Sequence, residues 1–240
     1  MKNGYIEASA KKLIGSNIRF DGITVTGTEN IMMAATLAQG ETILTNVAKE
    51  PEIIDLADML NSMGADIKGA GTDEITIKGV NELFGTSFTI PADRIEAGTY
   101  LVAAAVTNGS ITIDSINPNR LMKVINMIER SGPKISFDDN SISISMNKDR
   151  PDPVDITTAP FPEFPTDMQA QFSVINAISS GVSNIYETVF ENRFMHILEL
   201  NRMGCDIEVK GNHAIIKGVE SIYGAEVMAT DLRASASLIL

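Results

Sequence analysis

The chain has 240 residues, 44% hydrophobic and 21% charged, which is enough apolar material for one large or two ordinary domains and too little charge for disorder. Its net charge of −12, without a basic block, argues against nucleic acid or an anionic membrane as main partner, yet leaves room for a small anionic substrate held by a few arginines. One cysteine excludes an internal disulfide and suits a reducing cytosol, and no apolar run reaches membrane-spanning length.

The start, "MKNGYIEASAKK", is expected to carry no secretory signal, because it lacks an apolar core. A helix rich in small residues follows, "TENIMMAATLAQG", closed by Gly40. Ile53, Leu56, Ala57, Leu60 and Met63 then recur with helical spacing up to Gly64, and "DEITIKGV" (73–80) alternates like a half-buried strand. The same succession returns twice. "DRIEAGTYLVAAAVTNG" leads through "SITID" to an apolar stripe of Leu121, Val124, Ile125 and Ile128, then Gly132 and "NSISISM" (140–146). "TDMQAQFSVINAISSG" leads to Phe194, Ile197 and Leu198, then Gly204 and "NHAIIKGV" (212–219).

The repeated unit reads helix, strand, helix, strand, strand over about 70 residues, an α/β (α+β) repeat architecture. Gly64, Gly132 and Gly204 are expected to reverse the chain in the left-handed conformation. Helices with so many small residues should form a packed inner layer. "ATDLRASASLIL" (229–240) begins a fourth copy, from which we expect a segment of a longer chain.

One stretch invites a chemical reading. In "APFPEFPTDMQAQF" (159–172), three prolines stiffen the approach to Asp167. That carboxylate either caps the following helix or is presented to a ligand. Thr166 and Gln169 have capping-box spacing, which would leave Asp167 free to face a cleft.

The stretches "TVTGTENIMMAATLAQG", "EPEIIDLADMLNSMGADI", "PADRIEAGTYLVAAA", "FPTDMQAQF", "ETVFENRFMH" and "ATDLRASASL" together resemble the UDP-N-acetylglucosamine 1-carboxyvinyltransferases, the enolpyruvyltransferases of peptidoglycan synthesis. The resemblance runs from about Tyr5 to Leu240. It implies the inverse α-β prism fold, with residues 1–91 part of a first domain and 92–240 part of a second. It also implies enolpyruvyl transfer from phosphoenolpyruvate to the 3-hydroxyl of UDP-N-acetylglucosamine in the bacterial cytoplasm. No cofactor and no metal are implied; the partners are the two substrates and the remainder of the chain.

By the same resemblance Asp167 is the catalytic carboxylate that meets the sugar hydroxyl, and Arg193, Asp231 and Arg233 contact substrate. Gly22, Ile23, Thr24, Val25 and Thr26 match the uridine-nucleotide stretch, although a lysine often found at the position of Gly22 is missing. Val189 matches a backbone contact to the acetamido sugar, and Glu50 and Arg94 match cleft positions. The family's catalytic cysteine and a Lys–Asn pair have no counterpart in this chain, so the segment alone is expected to be inactive.

Other residues carry less. Cys205 stands at the repeat position of Ala65 and Pro133, a packing position. His196 and His213 show no metal spacing. Two other readings stay open on the sequence: enolpyruvyl transfer to shikimate 3-phosphate, and a non-catalytic repeat scaffold.

Overall fold

The computed structural model describes residues 4–229 and 231–240. The chain divides into two compact units, one ending at Ile90 and one running from Pro91 to Leu240, each with its own apolar core.

The first unit contains β1 (Asn17–Arg19), α1 (Val25–Ala35), β2 (Glu41–Thr45), α2 (Pro51–Ser62), β3 (Asp66–Lys68) and β4 (Glu74–Lys78). Thr24 starts α1 by accepting a hydrogen bond from the Gly27 amide at 3.2 Å, and Pro51 opens α2 where no N–H partner is required. The sheet runs β1-β2-β4-β3, with β1 parallel to β2 and the other pairs antiparallel. Met32, Leu44, Ile53, Ile75 and Ile77 fill the space between sheet and helices. Beyond β4 the chain returns to the end of α1: Gly79 donates to Gly40 O at 2.9 Å and Val80 to Thr36 O at 2.8 Å. The approach leaves no room for a side chain, since a Cβ on Gly79 would lie 1.6 Å from Ala38 O.

The second unit begins with α3 (Arg94–Val106), β5 (Ser110–Asp114), α4 (Met122–Arg130), β6 (Lys134–Phe137) and β7 (Ser141–Ser145). It continues through β8 (Ile156–Thr157), a 3-10 turn (Thr166–Met168), α5 (Gln169–Ala177), β9 (Val182–Tyr186), α6 (Met195–Arg202), β10 (Asp206–Lys210), β11 (His213–Lys217) and α7 (Leu232–Ser237). Its two sheets are ordered β5-β7-β6 and β10-β11-β9-β8.

The helix–strand–helix–strand–strand succession therefore occurs three times. In each copy the last strand lies between the other two, as β2-β4-β3, β5-β7-β6 and β9-β11-β10. Gly64, Gly132 and Gly204 take φ of +101°, +116° and +97°, the left-handed turn expected of them. Two strands were not anticipated: β1 and β8 add a parallel edge to the first and third copies.

Two of the small-residue helices, α3 and α5, form the expected buried layer, whereas α1 buries only Thr28, Met32 and Ala35 of its eleven residues. All nine residues of α5 are buried, as are eight of the thirteen in α3. Two polar side chains inside α5, Asn176 and Gln171, tie it to its neighbours. The Asn176 amide accepts from Val154 N and donates to Val154 O, both at 2.9 Å, and Gln171 Nε2 donates to Thr99 Oγ1 on α3 at 2.9 Å. Leu198 departs from its expected place. Phe194, Ile197 and Leu200 are buried, but Leu198 is 72% exposed on the outer face of α6.

Candidate active site

The loop before Asp167 is closed on itself. Thr158 and Phe164 form a parallel bridge, Ala159 N donates to Phe164 O at 2.9 Å, and Glu163 N donates to Pro160 O at 3.1 Å. Phe164 is buried edge-to-face on Phe172 of α5, with centroids 4.8 Å apart. Met168 N then donates to Pro165 O at 3.0 Å and begins the turn that holds Asp167.

The expected capping box does not form. Thr166 Oγ1 donates to Glu187 Oε2 at 2.8 Å and accepts from Arg193 Nη1 at 2.9 Å. Gln169 is buried with neither amide atom bonded among the described residues. A buried carboxylate and a guanidinium outcompete a backbone amide for the hydroxyl. Asp167 does not cap the helix either. Its Oδ1 lies 2.8 Å from Arg193 Nη2 and its Oδ2 lies 3.9 Å from Arg233 Nε. The side chain is 39% exposed, so it is held and still reachable.

Two further aspartates complete the cluster. Asp231 caps α7, accepting from the Arg233 and Ala234 amides at 2.8 and 3.0 Å, and its Oδ2 lies 3.8 Å from Arg193 Nη2. It therefore serves as both cap and cluster member. Burial opposes its ionisation, but those amides and the Arg193 charge outweigh burial and hold the carboxyl below its ordinary range. Asp93 caps α3 in the same manner and lies 3.4 Å from Arg233 Nη2. It was not singled out from the sequence. The available signal was the repeat itself, since "PAD", "PTD" and "ATD" each place an aspartate at the head of an inner helix.

Three carboxylates thus surround two guanidiniums. Both arginines already face aspartates, so an arriving anion has to compete for them. Pairs this exposed contribute at most about 1 kcal/mol each to stability, and their value lies in fixing geometry. Asp167, Arg193 and Asp231 line a cavity of about 330 Å³ together with Phe190, Glu191, Asn192, Met195 and His196. The Arg193 guanidinium lies over the Phe190 ring at 5.2 Å. His196 is 2% exposed, with Nε2 unbonded among the described residues, and burial pushes its pKa down to about 4.

The remaining expected residues fall elsewhere. Gly22 and Ile23 precede α1 in the first unit, Thr24 caps it and Val25 and Thr26 open it, with Gly22, Ile23 and Thr26 exposed. Glu50 directly precedes α2. Val189 borders Phe190, and its N–H donates to Glu187 Oε1 at 2.8 Å, so a ligand contact through this peptide would use its carbonyl. Arg94 is buried with its guanidinium 5.6 Å from the Phe161 ring. Cys205 is buried, and burial pushes its thiol up to about 11, in keeping with a packing role. His213 stacks on Tyr186 at 4.2 Å and makes a 2.9 Å hydrogen bond with Asn184 Oδ1.

A family model for EPSP synthase (3-phosphoshikimate 1-carboxyvinyltransferase) matches residues 1–240. The chain belongs to this family. Among curated proteins it is 55% identical over 240 residues to a UDP-N-acetylglucosamine 1-carboxyvinyltransferase of Ruthia magnifica subsp. Calyptogena magnifica, covering 100% of this chain and 57% of the relative. The like-named protein of Hydrogenovibrio crunogenus is 53% identical, with the same coverage. The chain thus spans somewhat more than half the length of these relatives. Among solved structures, the enolpyruvyl transferase NikO from Streptomyces tendae superposes with a TM-score of 0.83 at 22% identity, covering 96% of this chain and 58% of that one. EPSP synthase from Acinetobacter baumannii gives 0.66 at 20% identity, covering 94% and 55%. The fold is that of the enolpyruvyl transferases.

Proposed function

We propose that this chain is part of a UDP-N-acetylglucosamine 1-carboxyvinyltransferase, a bacterial cytoplasmic enzyme of peptidoglycan synthesis. Identity of 53–55% to three proteins of that name supports the reading. The observation that carries it is the Asp167 carboxylate, fixed on a cavity wall by Arg193 at 2.8 Å and by the closed loop behind it. Residues 1–91 and 92–240 then belong to the family's two domains, with residues 22–26 toward the uridine nucleotide.

In the reaction, the sugar 3-hydroxyl oxygen bonds to C2 of phosphoenolpyruvate while a proton adds to C3. Loss of a C3 proton then expels phosphate and restores the double bond. Asp167 orients the hydroxyl and takes its proton as the C–O bond forms. Arg193 keeps that carboxylate in place and, with Arg233, offers guanidinium N–H groups to the charge that accumulates on the departing phosphate. Val189 turns its carbonyl to the acetamido group, and Asp231 fixes Arg193 from its other side. Cys205, buried and with its thiol raised to about 11, is not the donor of the C3 proton.

Asp167→Asn in a protein of the relatives' full length tests this. Turnover should fall about 10²–10⁴-fold while UDP-N-acetylglucosamine still binds by calorimetry. Near-normal turnover would overturn the role of Asp167. Replacing the acceptor by shikimate 3-phosphate should abolish product, and product from that acceptor would move the assignment to the sister reaction. Absence of saturable UDP-N-acetylglucosamine binding would favour the scaffold.

A further inference from the structure

Glu187 lies outside the cavity lining, yet the turn that holds Asp167 and the turn that carries Phe190 both bond to it. Its side chain is 2% exposed and, among the described residues, makes no ion pair. A buried carboxylate without a cation is costly unless its lone pairs are filled. Here they are. Oε1 accepts from Thr158 Oγ1 at 2.8 Å, Val189 N at 2.8 Å and Phe190 N at 3.0 Å, and Oε2 accepts from Thr166 Oγ1 at 2.8 Å.

The direction of the Thr166 bond is forced. Arg193 Nη1 can only donate, so at 2.9 Å it occupies a lone pair of Thr166 Oγ1 and leaves the hydroxyl proton for Glu187. A relay results: Glu187 fixes Thr166, Thr166 fixes one nitrogen of Arg193, and the other nitrogen holds Asp167 at 2.8 Å. Glu187 also pins the turn carrying Phe190, over whose ring the same guanidinium lies.

We propose that Glu187 is a positioning residue that sets the Asp167–Arg193 geometry through Thr166 without touching substrate. The claim deepens the transferase reading and rests on it for its kinetic consequence. Its geometric consequence does not depend on the substrates.

Two hydroxyls bond Glu187 at the same distance, but only that of Thr166 continues to Arg193, and this provides an internal control. In the full-length protein, Thr166→Val should lower kcat/KM about 10- to 100-fold, chiefly in kcat, and Thr166→Ser should restore it. Thr158→Val should reduce stability comparably yet keep kcat within about twofold of the wild type. Glu187→Gln is isosteric but turns a donor toward Thr166, where Arg193 already donates, and should behave like Thr166→Val. Independently of any substrate, the Arg193 side-chain ¹⁵N–H signals should move in Thr166→Val and Glu187→Gln and stay in place in Thr158→Val. An inactive wild type would refute the transferase reading while the Arg193 signals still decide the relay. Unmoved signals, or equal kinetic losses in Thr158→Val and Thr166→Val, would overturn the relay.

Discussion

Protonating His196 in the folded protein should be costly. The ring is almost wholly buried beside the cavity, with its pKa pushed from 6.5 down to about 4. Burial is the main cause; the Asp231 charge opposes it and the Arg193 charge adds to it. The unfolded chain takes up a proton near pH 6.5, whereas the folded one resists until about pH 4. The neutral ring's contribution to stability is therefore fully present above pH 6.5 and is lost as pH falls through this interval. A difference of about 2.5 units at 1.36 kcal/mol each gives about 3 kcal/mol, a large share of the ~5–15 kcal/mol that stabilises a typical domain. Urea unfolding of the wild type and of His196→Leu at pH 7.5, 6.5, 5.5 and 4.5 isolates this effect, because most carboxylates titrate alike in both proteins. The wild type should lose most of the ~3 kcal/mol relative to the variant by pH 4.5. Parallel decline of the two proteins would refute a buried neutral ring.

Three further outcomes are expected. Arg150 donates to the carbonyls of Ile178, Ser179 and Val219, so Arg150→Leu should leave several acceptors unpaired and cost about 3 kcal/mol in urea unfolding. A Cβ on Gly218 would lie 1.9 Å from Ser179 O, and Gly218→Ala should destabilise by about 3 kcal/mol or more, read by thermal melting. With its thiol raised to about 11, Cys205 should resist iodoacetamide at pH 8 in the native protein and react once unfolded, as mass spectrometry would record.

The repeat was legible because its signals are local: period-two strands, helical stripes, and glycines where the chain must take positive φ. What escaped depends on distance along the chain. β1 and β8 are three and two residues long, too short to show alternation, and they exist because a neighbouring strand offers an edge. Leu198 fits an apolar stripe by spacing, yet the face that α6 buries is that of His196, Ile197, Glu199 and Leu200, which leaves Leu198 outside. Thr166 was read through its neighbour Gln169, whereas its hydroxyl answers to Glu187, 21 positions away. Glu187 itself could have been found. Ser183 and Ile185 face inward along β9, and the same alternation carried two residues further turns Glu187 inward, where a carboxylate demands partners.

Asp167 stands immediately ahead of a helix without a solvent face. Surface loops usually loosen well below the melting temperature of a domain, and sites built on them fade early. This carboxylate is anchored to the part of the unit that should let go last. In a protein of the relatives' full length, inactivation on heating should accordingly coincide with cooperative melting of this unit instead of preceding it.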